Sequence, residues 1–339
     1  MKAVVLVGGF GTRLRPLTLT TPKQMLPLVD RPMIEYAIGA LKGGGVDEVV
    51  LSLGYKDDAF RAAYPDAQCC GIPLSYAVEP EPLDTAGAIR FAADFAGIDE
   101  TFVVVNGDVL TDLDLPQLWQ RHHETKATAT IALTQVEDPS RYGVVPTDAQ
   151  GQVLGFVEKP PADTAPTNWI NAGTYVLEAA VLDGIAKGRR VSIEREVFPR
   201  IAAAGGLWAV RSDAYWIDIG TPATYLQAQL DLISGVRGSA APAISASAHI
   251  DPAALVQRSV IMADAVVAAG AVVHDSIVMA GAKLAANARV ESSIVGTNAV
   301  VDHDARVVGM SLVGDGVLVG ANQHLVGARL PASRLPASN

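Results

Sequence analysis

Over its first ~230 residues the chain alternates short apolar runs with longer stretches whose apolar positions recur at helical spacing. The runs at 2–7, 48–53, 74–78, 102–105 and 128–134 read as strands, and 33–42, 86–95 and 115–124 read as helices. Strands alternating with helices predict an α/β fold with a mostly parallel sheet covered on both faces. Ligands of such sheets bind outside the carboxyl ends of the strands. Further on the period changes. Val260, Val266, Val272, Val278, Leu284 and Val290 stand six residues apart. After a one-residue slip Val295, Val301, Val307, Val313, Val319 and Leu325 repeat that spacing. An apolar residue every six positions, with small residues between, predicts a parallel β-helix of stacked coils. The stretch 234–247, SGVRGSAAPAISAS, reads as a linker. The expected division is therefore a domain over 1–233, the linker 234–247, a β-helix over 248–329 and a loosely held tail, 330–339.

Composition narrows the functional classes. The 339 residues carry a formal net charge of −10, which argues against a nucleic-acid partner, for which a basic stripe is needed. No apolar run reaches the ~18 residues of a membrane span, so no membrane partner is expected. The first apolar run is broken at once by Gly8-Gly9, so it reads as a buried strand rather than a leader. The only two cysteines, Cys69 and Cys70, are adjacent, which is neither a disulfide framework nor a zinc spacing; a cytoplasmic protein is expected.

Candidate chemistry begins after the first strand, at Gly8-Gly9-Phe10-Gly11-Thr12-Arg13-Leu14-Arg15-Pro16-Leu17-Thr18. Glycines let backbone N–H groups converge on an anion, and Arg13 adds a planar, permanent charge suited to phosphate oxygens. Neither Walker spacing nor the dinucleotide fingerprint is present. Lys23 lies ten residues beyond Arg13, so one loop can bring both cations to a phosphate chain.

These residues, with Pro22-Lys23-Gln24-Met25-Leu26-Pro27-Leu28 and Pro32-Met33 after them, resemble the signature of the sugar-1-phosphate nucleotidylyltransferases. Further motifs follow in that family's order: Asn106-Gly107-Asp108-Val109, Tyr142-Gly143-Val144-Val145, Glu158-Lys159-Pro160, Asn171-Ala172-Gly173 and Trp216-Ile217-Asp218-Ile219-Gly220-Thr221-Pro222. The resemblance spans the whole chain and is closest to the mannose-1-phosphate guanylyltransferases. It implies a Rossmann-like mixed, mostly parallel sheet followed by a left-handed parallel β-helix.

The implied reaction joins an NTP and a sugar 1-phosphate to give an NDP-sugar and pyrophosphate. The attacking phosphate oxygen is already an anion, so positioning and electrostatic stabilisation are needed rather than a general base. Asp108 ends a strand-like run and Asp218 sits in Trp216-Ile217-Asp218-Ile219-Gly220, both where strands of an α/β sheet would deliver them to the active edge, and two separated carboxylates suit Mg²⁺; the resemblance implies the same pair. It also implies that Gly8, Gly9, Gly11, Thr12 and Arg13 bind the nucleotide, and that Arg13, Lys23 and Asp108 act in catalysis. By the same resemblance Gly143, Glu158, Lys159, Asn171 and Gly173 face the sugar phosphate.

The segment 76–87 resembles the base-recognition stretch, which assigns Glu79, Thr85 and Gly87 to the nucleotide. Thymidylyl and uridylyl members carry Gln where Glu79 stands. A carboxylate only accepts hydrogen bonds, and guanine offers two adjacent donors, so Glu79 favours GTP. Asp84 departs from the family's usual Gly. The sugar stays open, with mannose 1-phosphate favoured by Asp138-Pro139-Ser140 and by the segment 192–199. A glucose-1-phosphate thymidylyl- or uridylyltransferase is the alternative substrate reading. Two further readings are a non-catalytic regulatory subunit and an acyl transferase using His303 or His324. Assembly of a homo-oligomer, dimer or tetramer, is the expected role of the β-helix.

Overall fold

The apolar runs of the first half pair side by side because most of their residues must be buried on both faces. The computed structural model describes residues 1–54, 57–161 and 163–331, so the tail expected over 330–339 lies almost wholly outside the described residues. Strands β1 (Lys2–Leu6), β2 (Glu48–Leu53), β3 (Ile72–Val78) and β4 (Phe102–Asn106) are parallel, in the spatial order β3-β2-β1-β4. Helices α1 (Met33–Gly43), α2 (Asp84–Phe95) and α3 (Leu115–Thr125) follow three of them. Beyond β4 the sheet turns mixed. Strand β5 (Ala129–Gln135) and β4 flank β6 (Trp169–Leu177), which is antiparallel to both, and β7 (Leu207–Arg211) pairs in parallel with β5. Nothing in the apolar pattern pointed to β6 or β7.

Chain compactness divides the molecule into two units. One comprises residues 1–9 and 34–216, the other residues 10–33 and the chain from Ile217 onward. This division falls elsewhere than at the Gly/Ser/Ala stretch 234–247. The second unit contains helix α4 (Pro222–Ser234) and three parallel sheets of five short strands each. Strand pairs such as Val260 with Ile277, Ile277 with Ile294 and Ile294 with Leu312 give coils of 17, 17 and 18 residues. These stacked coils are the parallel β-helix that the spacing predicts.

One detail of the spacing needs correction. The inward row runs Ile261, Val267, Val273, Val278, Leu284 and Val290, then follows the second series as expected. Val260, Val266 and Val272 instead face away from the coil interior. Both members of Val260-Ile261, Val266-Val267 and Val272-Val273 are apolar, so periodicity cannot choose between them. A second ladder runs along one corner. Ser259, Ser276, Ser293 and Ser311 are buried, and each Oγ accepts the N–H of the equivalent residue in the next coil at 3.0–3.2 Å.

The first unit also holds a polar network around the buried His122. His122 Nδ1 lies 2.9 Å from Thr130 Oγ1 and Nε2 lies 2.9 Å from Glu178 Oε1, which also accepts from Thr101. Burial holds His122 below its ordinary pKa, against the pull of Glu178. Between the folded and unfolded pKa values the unfolded chain binds the extra proton, so stability falls as pH drops through the ordinary histidine range near 6.5. Melting temperatures between pH 8 and 5.5 are expected to decline, and His122→Asn is expected to flatten that decline.

Candidate functional site

In the first unit the candidate residues gather at the carboxyl ends of the parallel strands. Gly8 and Gly9 follow β1 beside Gly54, and Gly9 takes φ +104°, which side chains rarely tolerate. Glu79 follows β3 and is buried. Its Oε1 accepts from Ser52 Oγ at 3.2 Å, and its Oε2 accepts from the Leu83 N–H at 2.9 Å. Its carboxylate therefore closes the 79–83 loop. Each oxygen offers two acceptor positions, so each keeps one beyond these bonds.

Asp84 opens α2 at φ +60°, with Oδ1 accepting its neighbour's N–H at 3.1 Å. This left-handed backbone accounts for an Asp where the resemblance implies Gly, since Asp tolerates it better than most side chains. Asp84→Gly is expected to leave stability unchanged or slightly raised, and Asp84→Val to cost about 1–2 kcal/mol, read from denaturant unfolding.

Thr85 and Gly87 lock α2 in place. Thr85 Oγ1 donates to Glu194 Oε2 at 2.7 Å and accepts from the Ile193 N–H at 2.8 Å. A β-carbon on Gly87 would stand 2.5 Å from the Arg189 carbonyl oxygen, so backbone packing alone demands glycine there.

A second cluster surrounds Tyr175. The register of β6 against β5 shifts between Asn171 and Tyr175, and such bulges re-aim side chains. Asn171 Nδ2 donates to the Tyr175 hydroxyl at 2.8 Å, while its Oδ1 accepts from the Gly173 N–H at 3.0 Å. Burial, then the carboxylates of Glu194, Glu158 and Asp108, push the Tyr175 phenol above its ordinary pKa. The carboxylates of Asp108 and Glu158 thus share one electrostatic neighbourhood with Asn171. Gly143 pairs with Glu158 of the short strand at the sheet edge. Lys159 Nζ lies 2.9 Å from Glu158 Oε1, and its backbone N–H donates to the Tyr142 carbonyl.

The second unit holds the cationic loop and Asp218. Gly11 and Thr12 open a tight turn in which Thr18 Oγ1 donates to the Gly11 carbonyl at 2.7 Å. Lys23 is buried at 8% exposure, with its stem against Gly11. Arg13 Nη2 and Asp218 Oδ1 lie 2.7 and 3.2 Å from where a β-carbon on Gly220 would stand. Gly220 thus keeps open the space the guanidinium occupies. Just beyond, Thr221 caps α4 through a reciprocal pairing with Thr224.

Sequence reasoning gave no role to Ser52, Tyr175, Glu194 or Gly220. Glu194 and Gly220 lie in motifs it singled out, whereas nothing local marks Ser52 as the partner of Glu79. Asp108 in the first unit and Asp218 in the second are each half-buried, and no cluster of three His, Cys, Asp or Glu occurs among the described residues. The hard oxygens of either carboxylate suit Mg²⁺, which takes one or two protein carboxylates and fills its shell with phosphate and water.

Comparison with known proteins adds an independent line. Residues 2–235 match the family described as nucleotidyl transferase, and residues 240–335 match the family described as GMPPB C-terminal domain. A mannose-1-phosphate guanylyltransferase of Mycobacterium tuberculosis is 42% identical over 243 residues, covering 70% of this chain and 66% of that protein. A probable mannose-1-phosphate guanylyltransferase of Oryza sativa is 41% identical over 268 residues, covering 78% of this chain and 73% of the relative. Among solved structures, HddC from Yersinia pseudotuberculosis complexed with GMP-PN superposes with TM-score 0.56 at 30% identity, covering 67% of this chain and 97% of that one. Among the described residues no helix is long and apolar enough to cross a membrane.

Proposed function

The chain belongs to the nucleotidyl transferase family, and from that membership we propose that it transfers a nucleotidyl group from GTP to mannose 1-phosphate, giving GDP-mannose and pyrophosphate. The observation that carries this reading is the position of Arg13 against Gly220 beside Asp218, with the Lys23 β-carbon against Gly11. A guanidinium and an ammonium on one loop suit phosphate oxygens. The relatives named mannose-1-phosphate guanylyltransferase support the choice of base and sugar.

In this reading a sugar-phosphate oxygen attacks the α-phosphorus in line and pyrophosphate leaves. Gly8, Gly9, Gly11 and Thr12 cradle the nucleotide phosphates. Arg13 and Lys23 bind the β- and γ-phosphates and offset the charge that develops on the leaving group. Lys159 holds the sugar phosphate, with its ammonium oriented by Glu158. Gly143, Glu158, Asn171 and Gly173 face the sugar, and the Tyr175 phenol fixes the Asn171 amide. Asp108 and Asp218 would hold Mg²⁺, which when bound neutralises phosphate charge. Glu79 accepts from guanine N1–H and N2–H₂ on the acceptor positions left by Ser52 and Leu83, with Thr85 and Gly87 keeping α2 in register behind it. A cytoplasmic homo-oligomer, dimer or tetramer, assembled through the β-helix belongs to the same proposal. Leu318 and Val326 stand 62% and 74% exposed on its outer surface.

The test is pyrophosphate release with Mg²⁺ across GTP, dTTP, UTP, ATP and CTP and several sugar 1-phosphates. Fastest turnover with GTP and mannose 1-phosphate is expected, and preference for dTTP or UTP with glucose 1-phosphate would overturn base and sugar together. Glu79→Gln keeps an acceptor for Leu83 but presents a donor to guanine. It is expected to lower the GTP-to-dTTP ratio of kcat/KM by about tenfold or more. An unmoved ratio would restrict Glu79 to closing its loop.

A further inference from the structure

Within the second unit, the chain between Arg13 and Lys23 is fastened to the β-helix. The outward row of one sheet, Val260, Ile277, Ile294 and Leu312, is at most 1% exposed although it faces away from the coil interior. Helix α4 packs on the strand Val260–Ile261. Further along, a β-carbon on Gly314 would stand 3.0 Å from Pro16 Cβ. Polar contacts pin the same stretch. Arg329 Nη1 donates to the Arg15 carbonyl at 3.0 Å. Thr20 Oγ1 donates to Asp315 Oδ2 at 3.2 Å, while Asp315 Oδ1 accepts from the Thr297 N–H at 2.9 Å and so ties the contact to the preceding coil. Beyond Lys23, α4 takes over: Gln229 donates to the Pro27 carbonyl at 2.8 Å and accepts from the Val29 N–H at 2.7 Å.

We propose that the coils bearing Asp315 and Arg329 are a positioning element for triphosphate binding, acting through residues 15–20 to hold Arg13 and Lys23 in their binding geometry. This rests on the reading of Arg13 and Lys23 as triphosphate ligands. A loop ordered before its ligand arrives is spared the ordering cost at the moment of binding. Asp315 and Arg329 touch no reacting group and are positioning residues. The effect is therefore confined to ligands that the cations grip: GTP gains from the fastened loop, whereas GMP, which lacks the β- and γ-phosphates, does not.

The experiment is calorimetric titration of the full chain with GTP and with GMP, together with steady-state kinetics. The Asp315→Ala/Arg329→Ala double variant is expected to weaken GTP about tenfold and to raise KM for GTP. GMP affinity and KM for the sugar phosphate are expected to stay within twofold of wild type. Asp315→Asn, which keeps partners for Thr297 and Thr20, is expected to behave as wild type. Gly314→Val, which pushes on Pro16 instead of releasing it, is expected to weaken GTP selectively as well. Arg13→Ala is the control for the underlying reading. If Arg13→Ala weakens GTP while the double variant and Gly314→Val do not, the positioning role is overturned and the reading of Arg13 stands. If Arg13→Ala leaves GTP affinity unchanged, the reading fails and takes the positioning role with it. Equal loss of GTP and GMP in the double variant marks a general loss of structure and also overturns the proposal.

Discussion

Asp108→Asn is expected to lower kcat by about 10³-fold, roughly 4 kcal/mol of transition-state stabilisation, with the melting temperature within about 2 °C of wild type. The substitution keeps shape and removes charge. Asp108 lies in the turn after β4, where Gly107 donates to the Leu6 carbonyl at 2.9 Å. Backbone bonding of this kind fixes the turn whichever side chain stands at its second position. The carboxylate is part of the negative field around Tyr175, so its loss is tolerated by the fold. A protein that only bound nucleotide sugar would have no turnover to lose and would keep its affinity. Activity close to wild type in the variant would remove Asp108 from the catalytic set.

The second large effect is expected at a residue with no functional group. Gly220→Val places its β-carbon 2.7 Å from Arg13 Nη2, closer than the two can stand. The guanidinium must then leave its position beside Asp218. A fall of about 10²-fold in kcat/KM is expected, similar to that of Arg13→Ala. The double variant decides whether the two act together. Changes that operate through one group are not additive, so Gly220→Val/Arg13→Ala is expected to be no worse than Arg13→Ala alone. A product of the two single effects would mean that Gly220 matters for another reason, such as the cap of α4 that follows it.

The parallel strands were legible because a strand buried on both faces reads as an unbroken apolar run, as at Ala3-Val4-Val5 or Val49-Val50-Leu51. Strand β6 was not, because Asn171-Ala172-Gly173 interrupts its apolar residues where the bulge lies. The same interruption was read as a motif, so the local irregularity that hid the strand also drew notice to the segment. In the β-helix the repeat itself was plain, but its phase was not. Where a sheet is covered on its outer side, as at Val260 and Ile277, apolar residues are required in both rows and the distinction between inside and outside disappears from the sequence. Partners distant in sequence were invisible for a simpler reason. Nothing near Glu79 announces that Ser52 will donate to it, and nothing near Gly220 announces that Arg13 will fill the space beside it. The unusual Asp84 was visible, and its left-handed backbone gives the departure a conformational cause.

The fastening of residues 15–20 to the β-helix bears on how the chain is made. Thr20 and Asp315 are 295 residues apart, and Arg15 and Arg329 are 314 apart. At ~5–20 residues per second, a ribosome needs on the order of 15–60 s to bridge that gap. Throughout that interval the early strands can pair, but the glycine-rich segment has no surface on which to settle. The order of maturation therefore runs against the order of translation: the segment synthesised among the first is among the last to reach its final place. Contacts of such long separation also slow refolding from denaturant. Nascent chains halted before the final coils are thus expected to carry this segment in a protease-sensitive state, and its protection is expected to arrive together with the last turns of the β-helix.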